Sequence, residues 1–140
     1  MVYVDTSVLV ALCALERMTA AVSNWYFSGR DSLISGAWCA TEFASALGVK
    51  RRTRQITDEE SSAAWDAFER LCAKDLRLTP IKPSVFRHAA VLALDASTGL
   101  RAGDALHLAT ALDCNARSIA TLDILLADNA KRKRLRLVQL

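Results

Sequence analysis

Val2-Tyr3-Val4-Asp5-Thr6-Ser7 is a short apolar run that ends in a carboxylate with two hydroxyls directly behind it. Two β-branched residues and an aromatic, followed by helix-capping side chains, predict a buried strand that stops at Asp5 and passes the chain to a helix over 7–14. The same order returns near the other end. Ser118-Ile119-Ala120 reads as a strand, Thr121-Leu122-Asp123 follows it, and a short helix is predicted over 124–131. Between these two segments, strands are predicted at 32–35 and 76–79, and a last one at 135–138. Helices alternate with them, over 19–27, from 37 to about 52, and over 101–114. Thr57-Asp58-Glu59-Glu60 matches a capping box and starts a long helix through Trp65, Phe68, Leu71 and Cys72. Pro83 suits the first position of a helix that Gly99 is expected to stop.

Strands that alternate with helices imply an α/β fold. Parallel neighbours need crossover connections, so a mostly parallel five-stranded sheet covered on both faces is expected. Its loops at the carboxyl ends of the strands share one side, where such sheets bind ligands. Asp5 and Asp123 would both face that crevice. Glu42 lies four residues after Trp38 and four before Ala46, on a helix whose stripe includes Cys39, Phe43 and Leu47, so it is expected to point inward. Asp104 shares a helical row with Leu108 and Leu112.

Four acids brought together in apolar surroundings need compensation, because desolvation and mutual repulsion both oppose their charge. A divalent cation supplies it, and oxygen-only ligands select magnesium or manganese over zinc. Each acid also has a plainer reading. Asp5 and Asp123 suit helix N-caps, Glu42 a buried ion pair, and Asp104 a pair with Arg101 three residues earlier.

The chain has 140 residues, of which 52% are hydrophobic, and one domain spanning 1–140 is expected. No apolar run approaches the roughly 18 residues of a membrane span. Met1-Val2-Tyr3-Val4-Asp5 lacks the charged start of a secretory signal, so a cytoplasmic location is expected. Cys13, Cys39, Cys72 and Cys114 are widely spaced without a CxxC pair, which reads as buried free thiols rather than a zinc site. The net charge is +3, with cations gathered at Lys50, Arg51, Arg52 and Arg54 and again from Lys131 to Arg136. Beside an acidic metal site such runs suit nucleic-acid phosphates; alone, they read as a helix C-terminus and a solvated tail. His88 and His107 read as helix-packing residues.

Read in order, Val4-Asp5-Thr6-Ser7, then Glu42 on a helix, then Leu100-Arg101-Ala102-Gly103-Asp104-Ala105-Leu106-His107-Leu108-Ala109, then Thr121-Leu122-Asp123, the chain resembles a PIN-domain ribonuclease. More narrowly, it resembles the VapC-type toxins of bacterial and archaeal toxin–antitoxin pairs. The resemblance covers essentially the whole length and implies a three-layer α/β/α fold. It also implies a magnesium- or manganese-dependent endoribonuclease, a homodimer, and inhibition by a cognate antitoxin. Asp5, Glu42, Asp104 and Asp123 match the acidic quartet, and Ser7 and Thr121 its hydroxyl positions; Asp128 matches loosely as an outer acid. The antitoxin is expected to lay an apolar helix across the helices at 19–27 and 37–52.

Other chemistries fit less well. Dehalogenase-like phosphohydrolases want an aspartate two residues after the first, where this chain has Ser7, and receiver domains want a paired acidic start and a late lysine. The alternative of a different class is a PIN-like module that grips RNA or a protein without cutting.

Overall fold

The computed structural model describes residues 1–29 and 31–140. Its strands are β1 (Val2–Val4), β2 (Leu33–Gly36), β3 (Leu76–Thr79), β4 (Ser118–Ala120) and β5 (Arg136–Leu137). Its helices are α1 (Thr6–Cys13), α2 (Thr19–Ser28), α3 (Cys39–Arg52), α4 (Asp58–Lys74), α5 (Pro83–Leu94), α6 (Ala102–Asp113) and α7 (Ile124–Arg132). The strands form one sheet in the order β3-β2-β1-β4-β5, and every neighbouring pair is parallel. The chain steps outward from β1 to β3 on one side, then restarts beyond β1 with β4 and β5. Strand order therefore reverses between β1 and β4, which opens a crevice beyond their carboxyl ends.

The pleat divides the core in two. Val2 and Val4 face a cluster built from α1, α3 and α4 with Phe43, Phe68 and Leu71, while Tyr3 faces the opposite cluster of α5, α6 and α7. Helices thus cover both faces, giving three α/β/α layers. The centre of the second layer is α6, buried without a break from Ala105 to Ala111. A helix apolar on all sides belongs inside a fold, and its first turn is consequently carried to the crevice.

Thr57 and Glu60 form the expected reciprocal cap at the start of α4, with Glu60 N–H donating to Thr57 Oγ1 at 3.1 Å and Thr57 N–H to Glu60 Oε2 at 2.7 Å. The largest departure from the expected boundaries is at the end of one helix. Helix α5 stops at Leu94, well before Gly99, because Asp95 accepts from both the backbone N–H and the hydroxyl of Ser97 at 2.9 and 2.7 Å. That side chain offers the backbone a turn in place of another helical bond. Gly99 instead takes φ +64° within the following loop, a left-handed conformation suited to glycine.

The four thiols are free, with Cys39 buried and the others half-buried. Burial pushes Cys13 up to about 11 and Cys39 up to about 12, so both stay protonated and inert at neutral pH. Among the described residues, no helix is long and apolar enough to cross a membrane.

Candidate active site

Asp5 occupies the N-cap position of α1 but makes no side-chain cap bond there. Its carboxylate turns toward β4, where Oδ2 accepts from the Ser7 hydroxyl at 2.5 Å and the Thr121 hydroxyl at 2.8 Å. Ser7 and Thr121 are themselves fixed, since Leu122 N–H donates to Ser7 Oγ at 3.0 Å and Asp123 N–H to Thr121 Oγ1 at 3.0 Å. Two strand ends are thereby tied together through one carboxylate. Asp5 is 5% exposed, and this ring of donors is what allows it to lie so deep.

Asp123 serves as the N-cap of α7, accepting from Leu126 N–H at 2.7 Å through Oδ1. The cap uses one oxygen and leaves the second available. Asp104 stands in the first turn of α6 and among the described residues is linked only to Arg101 N–H, at a long 3.4 Å. Glu42 is not on the core face of α3, which belongs to Cys39, Phe43 and Leu47. It lies on the row of Trp38, half-buried and turned toward α6. Gly103 permits that approach, because a Cβ there would stand 3.1 Å from Glu42 Oε1 and 3.3 Å from the Trp38 ring.

His107, read from the sequence as a packing residue, is the residue that reading missed. Its ring is buried in the middle of α6, yet Nε2 lies 2.6 Å from Glu42 Oε2 and 3.3 Å from Asp5 Oδ1. Thr6 donates to the same Glu42 oxygen at 2.5 Å, and Tyr3 Oη meets His107 Nδ1 at 2.8 Å. The available signal was its place three residues after Asp104, on the same side of one helix.

The electrostatics follow from these contacts. Burial pushes the Glu42 carboxyl up, but the hydrogen bond and charge of His107 and the Thr6 bond outweigh it and hold the group below its usual range. Burial would lower His107, whereas Glu42, Asp5 and Asp104 together raise it above the ordinary histidine range. For Asp104 the help of the Arg101 N–H and the His107 charge is outweighed. Burial raises its carboxyl, and the charges of Asp123 and Asp5 raise it further. Among the described residues, no lysine or arginine forms an ion pair with Asp5, Glu42, Asp104 or Asp123.

That imbalance predicts a pH effect on the metal-free chain. A carboxyl whose folded pKa exceeds its unfolded value favours folding while protonated and loses that contribution as pH rises through the folded pKa. Asp104→Asn removes the loss. In EDTA the variant is expected to melt above the native chain at pH 7, and the two are expected to converge below about pH 4. Thermal denaturation across pH checks this; a variant less stable at pH 7 contradicts it.

The donor chemistry suits a hard cation, although among the described residues no three His, Cys, Asp or Glu side chains form a preassembled metal cage. Several oxygens are already engaged, Glu42 Oε2 by Thr6 and His107 and Asp123 Oδ1 by its cap. Magnesium keeps several waters and needs only one or two direct carboxylates, so a closed cage is not required. Asp5, Asp104 and the second oxygens of Glu42 and Asp123 fit that demand.

The first basic run lies apart from these acids. Arg52 is ten residues beyond Glu42, about 15 Å along α3. Lys50 pairs with Glu16, and Arg51 Nη2 with Asp58 at 2.6 Å, while Arg52 and Arg54 form no ion pair among the described residues. Asp128 is exposed on α7 and pairs with Lys131 at 3.6 Å.

The PIN domain family model matches residues 2–132. No curated protein matches the sequence. Among solved structures, VapC20 of Mycobacterium tuberculosis, a sarcin–ricin loop cleaving toxin, superposes with a TM-score of 0.76 at 13% identity, over 92% of this chain and 95% of that one. FitAcB from Neisseria gonorrhoeae superposes with a TM-score of 0.67 at 15% identity, over 99% of this chain and 97% of that one.

Proposed function

The chain belongs to the PIN domain family, and we propose that it is a divalent-metal-dependent endoribonuclease, the toxin of a toxin–antitoxin pair. One observation carries this reading: Asp5 and Glu42 meet around His107, Asp104 feels the charges of Asp5 and Asp123, and among the described residues no lysine or arginine forms an ion pair with any of the four. Asp5, Asp104, Glu42 and Asp123 would hold magnesium or manganese, which would supply charge neutralisation and an activated water at the scissile phosphate.

The chain's own residues do the positioning. Ser7 and Thr121 hold Asp5 in one orientation, the α7 cap engages one oxygen of Asp123 and leaves the other, and Asp104 enters from the first turn of α6. The resulting cut leaves a 5′-phosphate and a 3′-hydroxyl. Arg52 and Arg54 are the members of the first basic run free to meet RNA phosphates, since Lys50 and Arg51 are engaged.

The chain acts in the cytoplasm, as a homodimer, until its antitoxin binds. An apolar antitoxin helix fits the hollow beside α2, where Phe27 is 80% exposed. That hollow is walled by Ala67 and Leu71 of α4 rather than by α3. One observation favours a second reading, a module that binds without cutting: Glu42 is tied back by Thr6 and His107. Incubation of purified protein with a labelled structured RNA pool in magnesium, manganese or EDTA separates the two. Cleavage is expected with either metal and none in EDTA; retention of RNA without cleavage would support the binding module.

A further inference from the structure

We propose that Tyr3 is a positioning residue for the acidic site, acting through His107 to hold Glu42 and Asp5 in place; this rests on the metal-dependent reading above. Tyr3 touches none of the four acids in a hydrogen bond, and its side chain is fully buried on the opposite face of the strand from Val2 and Val4. Its hydroxyl nevertheless starts a directed chain. Gly36 N–H donates to Tyr3 Oη at 3.2 Å, so the hydroxyl proton is free to point at His107 Nδ1, 2.8 Å away. That bond fixes the ring's orientation from the Nδ1 side, and Nε2, which faces carboxylates that can only accept, donates to Glu42 Oε2 at 2.6 Å. The same Nε2 lies 3.3 Å from Asp5 Oδ1 and 3.2 Å from Thr6 Oγ1.

The ring stands edge-on to Tyr3, with centroids 5.7 Å apart, and against Trp38 at 5.3 Å, so it is held on both sides. Packing alone does not fix the rotation of the ring about its Cβ–Cγ bond. The Tyr3 hydroxyl does, because phenylalanine would fill the same space and leave Nδ1 without a partner. The ring is then free to turn, and Nε2–H is no longer held on the two carboxylates. Glu42 would lose a donor and Asp5 its nearest polar neighbour on Oδ1. His107 stands one step behind the ligands, where partners typically set metal affinity by ten- to a hundred-fold, and Tyr3 fixes His107 from behind.

The test compares native chain, Tyr3→Phe, His107→Leu, His107→Gln and the Tyr3→Phe/His107→Gln pair. Free Mn2+ is followed by electron paramagnetic resonance, melting temperature by circular dichroism, and RNA cleavage in parallel. Tyr3→Phe and His107→Leu are expected to weaken Mn2+ binding by roughly ten-fold or more while remaining folded. Glutamine presents an amide N–H near the Nε2 position and needs no donor behind it, so Tyr3→Phe is expected to have no further effect on Mn2+ binding in that background. Native-like Mn2+ affinity in Tyr3→Phe, or an equal loss in the glutamine background, overturns the relay while leaving the nuclease reading intact. A native chain that neither binds Mn2+ nor cuts RNA overturns both.

Discussion

Asp5→Asn and Asp104→Asn will each slow RNA cleavage by roughly a thousand-fold, about 4 kcal/mol of lost transition-state stabilisation, in chains that remain folded. The expectation follows from where the two carboxylates sit. Asp5 is buried among donors that orient it, so an amide fills its space but lacks the charge a cation needs. Asp104 carries an ionisation opposed by burial, Asp123 and Asp5. A charge held against such opposition destabilises the metal-free fold, and its removal should raise stability at neutral pH while removing an attraction for the cation. Single-turnover cleavage beside melting curves checks both halves. Equal cleavage by native chain and variants would show the activity to come from elsewhere.

Phe43→Ala will lower stability by about 3–5 kcal/mol and the melting temperature by roughly 10 °C. Phe43 is fully buried, stacked on Phe68 with ring centroids 4.5 Å apart and tilted against Trp65 at 6.2 Å. Truncation leaves a cavity between α3 and α4 that neither neighbouring ring can fill without breaking its own contacts. The adjacent residue is Glu42, so the seat of α3 in the core also aims that carboxylate at the crevice. Cleavage by the variant, measured below its melting point, should therefore fall as well, and magnesium should restore part of its stability by mass action. A melting temperature within two or three degrees of native would show that this aromatic cluster does not seat α3.

Much of this arrangement was legible in the chain. β3 and β4 fall at the predicted residues, and Asp5 and Asp123 follow strands as the alternation of short apolar runs and caps requires. Local signals suffice there, because each depends on neighbours within a few positions. Helix α5 was read as too long because Asp95 competes with the helix for the backbone, a side-chain bond that periodicity does not register. The face of Glu42 was misjudged for a different reason. A stripe fixes which side of α3 is apolar, but the edge that looks across to α6 is set by packing between residues 65 positions apart. His107 was harder still: its meaning needed Tyr3 to lie on the α6 side of β1, a contact spanning 104 positions.

The most direct test titrates Mn2+ into native chain and into Asp5→Asn, with bound metal and RNA cleavage measured in the same samples. The acidic site requires saturable binding in the native chain, cleavage that rises over the same concentration range, and loss of both in the variant. Undiminished binding in Asp5→Asn, or cleavage that persists in EDTA, would contradict a metal-dependent nuclease centred on these four acids.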